Sequence, residues 1–236
     1  MVPTIKAVQT ISFGEGPHWD VDEQVLYYVN FLDSTINKYN PATGQNTKTN
    51  IAQFPKTYTS FVIPIEGRKH HFLCGIKRDI VEIEWKGDND KAVVLRTIAS
   101  VENDRPENFL NDGKADRKGR LVTANCQKLF VPNDHGIEGI CDGLTIDTDD
   151  NLWVAVYQGG QILKIDGKTG EILQTVTMPT RDVTSLTFGG PNLDILYVTS
   201  SNMQWQRNEP VWGAAIYEVY GLCVRGYPAF KVQLNS

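Results

Sequence analysis

Cysteine and basic charge are both scarce in this sequence, and each scarcity removes a class of function. Its 236 residues hold four cysteines, Cys74, Cys126, Cys141 and Cys223, with no C-x-x-C pair and no zinc-like spacing. Free buried thiols in a reducing compartment are the expectation, and the lack of any N-x-[ST] sequon agrees with a cytoplasmic location. Lys and Arg number 23 against 28 Asp and Glu, a net charge of −5. Nucleic acid and anionic membranes are poor partners for such a surface. No apolar run nears the roughly 20 residues that span a bilayer, and the first residues lack the apolar stretch of a secretory signal. A 3.6-residue apolar period is almost absent. So are a G-x-S-x-G elbow and an H-E-x-x-H pair, which leaves serine-hydrolase and zincin chemistry without their residues.

What is present is a repeated strand pattern. Leu144–Ile146 and Leu152–Tyr157 read as two strands rich in bulky and branched residues, joined by the polar turn Asp147–Asn151. Asp142-Gly stands in front of the first of them. The stretch Asp142-Gly-Leu-Thr-Ile-Asp147, Leu152–Val156, Ile162–Ile165, Gly167–Gly170 is matched by Glu15–Asp20, Val25–Val29, Ile36–Tyr39, Pro41–Gly44. Weaker copies start at Ser60, Asp112 and Thr184. Units of roughly 40–50 residues with four short strands are the pattern of β-propeller blades, so the fold class is all-β.

The repeat starts are 45 residues apart from Glu15 to Ser60, 52 from Ser60 to Asp112 and 42 from Asp142 to Thr184. From Asp112 to Asp142 the distance is only 30, too short for four strands and their turns. The expectation is a single domain, residues 1–236, of about five blade units. The unit that starts at Asp112 is incomplete, with a deletion near 125–135. The strand-like Ile5–Ile11 is expected to complete the last blade and so protect both edges.

Four ordered segments carry a family likeness: Gly14-Glu-Gly-Pro-His-Trp-Asp20, Leu110-Asn-Asp-Gly-Lys-Ala-Asp116, Asp142-Gly with Asn151-Leu-Trp-Val-Ala155, and Phe188-Gly-Gly-Pro-Asn-Leu-Asp194. Between about Ile11 and Val232 the chain resembles the SMP-30/regucalcin/gluconolactonase family, insect luciferin-regenerating enzymes included. The resemblance implies a six-bladed propeller with one divalent cation on its axis and hydrolysis of sugar-type lactones. It assigns Glu15 and Asp142 as metal ligands, Asp142 also as the acid/base residue, and Asn111 as a substrate contact. The chain departs from the family in three places. Phe109 occupies the position of a substrate-binding arginine. The family's Asn-Gly-Leu metal-ligand segment has no counterpart between Asn111 and Asp142. Its acidic substrate contact is also missing, because Thr123–Cys126 runs straight into Lys128–Phe130.

Carboxylate and amide oxygens suit Ca, Mg or Mn and tolerate Zn. Three functions follow as expectations. They are a metal-dependent lactonase with a small-molecule lactone substrate, impaired by its missing parts; a non-catalytic calcium-binding regulatory protein; and a propeller that binds only proteins. A monomer is expected. Asp147–Asn151 imitates an EF-hand loop, but Leu152 stands where glycine is required, so the stretch reads as a hairpin turn. Gly189-Gly190 lacks the following helix of a phosphate cradle. His70-His71 reads as an exposed turn, His18 and His135 stand alone, and Trp19, Trp85 and Trp153 read as blade core.

Overall fold

The chain alternates short branched-residue runs with turn residues, and each run pairs with the next. A computed structural model describes residues 2–51, 53–54, 57–87, 91–102, 104–105, 107–123, 130–202 and 214–234. The first blade is an antiparallel sheet of β2 (Gly14–Asp20), β3 (Val25–Asn30), β4 (Thr35–Asn40) and β5 (Gln45–Asn50). The second is β6 (Thr59–Pro64), β7 (His71–Ile76), β8 (Asp79–Glu84) and β9 (Val93–Ser100). Among the described residues a hairpin alone follows, β10 (Gly113–Ala115) with β11 (Leu121–Thr123). The next full blade is β12 (Ile140–Ile146), β13 (Leu152–Tyr157), β14 (Gln161–Ile165) and β15 (Ile172–Thr177). In the last, β16 (Val183–Gly189), β17 (Ile195–Ser200) and β18 (Ala215–Tyr220) are joined by β1 (Thr4–Thr10) from the other end of the chain. This is a β-propeller of five units with the third incomplete, closed by its first strand. The expected deletion near 125–135 falls largely on 124–129, outside the described residues.

The turns explain why the strands stop where they do. At the end of each of three inner strands an aspartate accepts backbone N–H groups of the turn that follows. Asp20 Oδ1 takes Asp22 and Glu23 at 2.9 and 3.0 Å. Asp116 Oδ1 takes Lys118 and Arg120, both at 2.9 Å. Asp147 Oδ1 takes Asp149 and Asn151 at 3.0 and 2.9 Å. Asp147 is fully buried, ion-paired to Lys164 at 3.0 Å and bonded by Trp153 Nε1. The stretch that mimics a calcium loop is therefore a hairpin anchor.

Core side chains fill the seams between blades. Tyr27, Phe72 and Trp85 pack between the first and second blades, and Trp19 stacks on Tyr197 at 5.0 Å between the first and last. Trp153 meets Phe188 edge-on at 5.8 Å between the last two. Phe61 joins the second blade to the hairpin through a cluster that includes Leu110 and Val232. Among the described residues no comparable cluster fills the seam between the hairpin and β12. There Val122, Ile140, Leu144 and Ile146 are 40–63% exposed. The C-terminal segment straps this seam, bridging Gly226 to Asp147, Phe230 to Ala115 and Val232 to Ile65.

Two sequence expectations need correction. Cys74 is buried, but Cys141 and Cys223 are exposed free thiols, because Cys141 lies on the open seam and Cys223 in the C-terminal segment; Cys126 lies outside the described residues. His71 is no exposed turn residue. It begins β7, and its Nδ1 lies 2.9 Å from buried Glu82, which also binds Arg68 at 2.9 Å and Arg96 at 2.8 Å. Trp19, Trp85 and Trp153 are core, as expected. Among the described residues no helix is long and apolar enough to cross a membrane.

Burial works against ionised Glu82, but bonds from His71, Arg96 and Arg68 outweigh it and hold the carboxyl down at about 2 from 4.5. With its folded value depressed, the cluster's contribution is complete above about pH 4.5 and lost as pH falls toward about 2. Glu82→Ala is expected to destabilise by about 2–3 kcal/mol at neutral pH, since three partners lose a charged acceptor. The cost should shrink on acidification, read as denaturant midpoints across pH; an equal cost at pH 3 would refute the cluster's role.

Candidate active site

The inner strands β2, β6, β12 and β16 share one irregularity. Pairing with the next strand shifts register between Glu15 and His18, between Thr59 and Val62, between Cys141 and Leu144, and between Val183 and Ser185. A bulge re-aims the side chains it carries. Glu15 borders this shift in its blade and Asp142 lies within it. This corrects the sequence reading that put Asp142 ahead of its strand, because it lies inside β12. Gly16 makes the bulge possible at φ +52°, and a Cβ there would sit 2.6 Å from Phe61 Cα. Gly143 is closed in by Ser185 in the same manner.

Asn111 and Asp112 lead directly into β10 and reach the same end of the channel. Asn111 Nδ2 donates to Asp142 Oδ1 at 3.4 Å. Asp112 accepts Gly113 N–H at 2.7 Å and Ser185 Oγ at 3.4 Å. Glu15 is 3% exposed and accepts the N–H of Gly16 at 3.1 Å. Burial raises its carboxyl well above the ordinary range, and the charges of Asp142 and Asp112 raise it further against the opposing Gly16 bond and Lys114. Burial also raises Asp112, partly offset by Lys114. Asp142 is pushed up to about 7, first by burial and then by Asp112, with the Asn111 bond acting the other way.

The structure thus brings together Glu15, Asn111 and Asp142, the three residues singled out in the sequence. It adds Asp112, Lys114 and Ser185, which sequence reasoning missed. A signal for Asp112 was present, since Asp112-Gly repeats Asp142-Gly at the start of its unit. Phe109, two residues before Asn111, is 46% exposed and packs with Phe31 and Tyr58, both at 5.4 Å between ring centres. The donors are all oxygens, yet among the described residues no three Asp, Glu, His or Cys side chains close into a metal-binding cluster.

The sequence profile of the SMP-30/Gluconolactonase/LRE-like region matches residues 13–137 and 125–202, more than half of the chain. The chain belongs to this family. Regucalcin of Xenopus laevis is 25% identical over 292 residues, covering 92% of this chain and 94% of that protein. That alignment is longer than the chain's own 236 residues, so regucalcin has positions with no counterpart here. A solved luciferin-regenerating enzyme superposes with TM-score 0.87 at 29% identity, covering 98% of this chain and all of the other. A calcium-binding regucalcin from Agrobacterium tumefaciens superposes with TM-score 0.75 at 17% identity, over 97% and 96% of the two chains, a likeness of fold alone.

Within this SMP-30/gluconolactonase scaffold the three carboxyls have raised folded values. Their contribution to stability is complete below the unfolded value, 3.8 for an aspartate, and is lost as pH rises through about 7 for Asp142. Chelator-treated protein should lose thermal stability between pH 4 and pH 8, and Asp142→Asn should flatten that fall. Thermal midpoints across the range test this, and an unchanged slope in the variant would refute the coupling.

Proposed function

We propose that the chain is a divalent-metal-dependent hydrolase of sugar-type or related lactones, weakened relative to relatives that keep the missing segment. The observation that supports it is the meeting of Glu15, Asn111, Asp112 and Asp142 at one end of the propeller axis from blades far apart in sequence. Burial raises all three carboxyls, and neighbouring carboxylates raise Glu15 and Asp142 further; such a set suits a hard cation, which would offset the repulsion. Glu15 and Asp142 would hold the cation beside Asn111, so the residues fit such an ion by donor chemistry and by charge. The bound ion would supply Lewis-acid polarisation of the lactone carbonyl.

The other roles belong to side chains. Asp142, with a carboxyl near 7, is suited to take a proton from attacking water and return it to the ring oxygen as the ester bond breaks. Asn111 presents an amide beside that carboxylate and can orient a substrate oxygen. Asp112 and Lys114 set the local charge. Phe109 presents a ring face where the family resemblance implies an arginine, so a polyhydroxylated lactone loses a donor and an apolar one gains a contact surface. This aromatic rim and the absent ligand segment also favour a second reading, a cation-binding protein without turnover.

Asp142→Asn keeps an oxygen donor but removes the base, and is expected to lower lactone kcat by about 100-fold or more. Hydrolysis at the wild-type rate in that variant would defeat the assigned role. Titration calorimetry with Ca, Mn, Mg and Zn, run beside lactone turnover, separates the two readings: binding without turnover supports the second. Phe109→Arg should raise kcat/KM for a sugar lactone by about tenfold over an alkyl lactone, the worth of one good charged hydrogen bond. No change in that ratio would show that the ring does not meet substrate.

A further inference from the structure

Aromatic rings from three successive units gather at the end of the propeller that holds the carboxylates. Phe13 immediately precedes β2, Phe31 immediately follows β3, and Tyr58 immediately precedes β6. Phe13 stands two residues before Glu15, and Phe109 two residues before Asn111. Two residues of chain span at most about 7 Å, so both rings spring from backbone close to site residues. The rings also touch one another. Phe31 and Tyr58 are stacked at 5.1 Å, Phe109 meets both at 5.4 Å, and Phe13 lies 5.1 Å from Phe31.

Backbone hydrogen bonds between loops fix this cluster. Phe31 N–H donates to the Phe13 carbonyl at 2.8 Å, and Thr59 N–H to the Phe31 carbonyl at 3.0 Å. Lys77 N–H donates to the Tyr58 carbonyl at 3.0 Å, and Leu110 N–H to the Lys77 carbonyl at 2.7 Å. Exposure separates the rings that support from those that present a surface. Phe31 is 7% exposed, whereas Tyr58 and Phe109 are 42% and 46% exposed. Large apolar surface held rigidly in water beside polar groups marks a place where a ligand is covered. Here the polar group is Asn111, whose amide reaches Asp142 at 3.4 Å. A molecule seated on the carboxylates therefore has these two rings beside it.

We infer that Tyr58 and Phe109 determine the specificity of this site and select a lactone carrying an apolar substituent, an alkyl chain, over one carrying hydroxyls; this rests on the lactonase reading. The lactone ring sits at the carboxylates and Asn111, the substituent lies along the two exposed rings, and Phe13 and Phe31 back them. The hydroxyls of a sugar lactone would leave water for ring faces that offer them no hydrogen bond.

The test is kcat/KM of the full chain for δ-decalactone, which carries a pentyl chain, for unsubstituted δ-valerolactone and for glucono-δ-lactone, each divided by its own hydroxide-catalysed rate. δ-Decalactone is expected to exceed δ-valerolactone by about tenfold, the worth of burying two methylene groups, and glucono-δ-lactone to fall below both. Tyr58→Ser and Phe109→Ser should each lower the ratio of the first two by about threefold, half of that effect in free energy. A substitution that only loosened the fold would lower both rates and keep the ratio. Calorimetric titration with 3-pentylcyclohexanone and cyclohexanone, ketones that cannot be hydrolysed, repeats the comparison without turnover, and the pentyl ketone should bind about tenfold tighter. Should a variant not fold, nuclear Overhauser contacts from the pentyl chain to the Tyr58 ring in the wild-type protein decide the matter. Where lactones are hydrolysed, equal values for the first two, a preference for glucono-δ-lactone or a ratio unaltered by both substitutions overturns the inference. Where none is hydrolysed, the lactonase reading fails, and a missing margin between the ketones overturns the role of the rings as well.

Discussion

The candidate site depends on one local irregularity, the register shift near the start of every complete blade's inner strand. A regular strand alternates its side chains between two faces. A bulge breaks that alternation, so one residue per blade can be turned toward the axis while its neighbours stay in the blade. Glu15 borders the shift and Asp142 lies inside it, and Gly16 and Gly143 beside them pack closely on Phe61 and Ser185. The cost is like charge in poor solvent, evident in the raised carboxyls of Glu15, Asp112 and Asp142. Lys114 offsets only part of it.

The second constraint is the short third unit. Elsewhere, facing blades share aromatic and aliphatic core, whereas the hairpin and β12 meet through polar contacts at the top and a chain segment at the bottom. Asn111 reaches Asp142 of β12, while Asp112 accepts Ser185 from β16 of the last blade. The strap Gly226–Val232 does below what packed side chains do in the other seams. In a repeat fold a short unit disturbs nearest-neighbour packing only at its own join. The exposed Leu144 and Ile146 mark that join.

Most of the architecture was readable from residue order. The Asp147–Asn151 turn, the strand Leu152–Tyr157 and the closure by the first strand lie where branched runs and turn residues placed them. The Asp112–Asp142 spacing marked the incomplete unit because a strand has a minimum length. The bulges were not readable, since period-two reasoning assumes the alternation that a bulge breaks. Asp112 escaped for a related reason: its repeat position was evident, but its charge matters only once Asp142 and Glu15 stand beside it. Glu82 draws its partners from three different segments, which no local pattern joins. The exposure of Cys141 follows from an absent neighbour, and hydrophobicity scales carry no information about absence.

The pairing of β1 with β18 has a temporal side. Thr4–Thr10 is made long before its partner Ala215–Tyr220. Until that partner is made, Thr4–Thr10 has exposed backbone donors and acceptors and nothing native to pair with. Four of that strand's seven positions are polar or charged, Lys6 and Gln9 among them, a composition that discourages premature pairing with another nascent chain. The ring can close only once Ala215–Tyr220 has been made, and a fusion just ahead of Thr4 would act on that step rather than on any single blade.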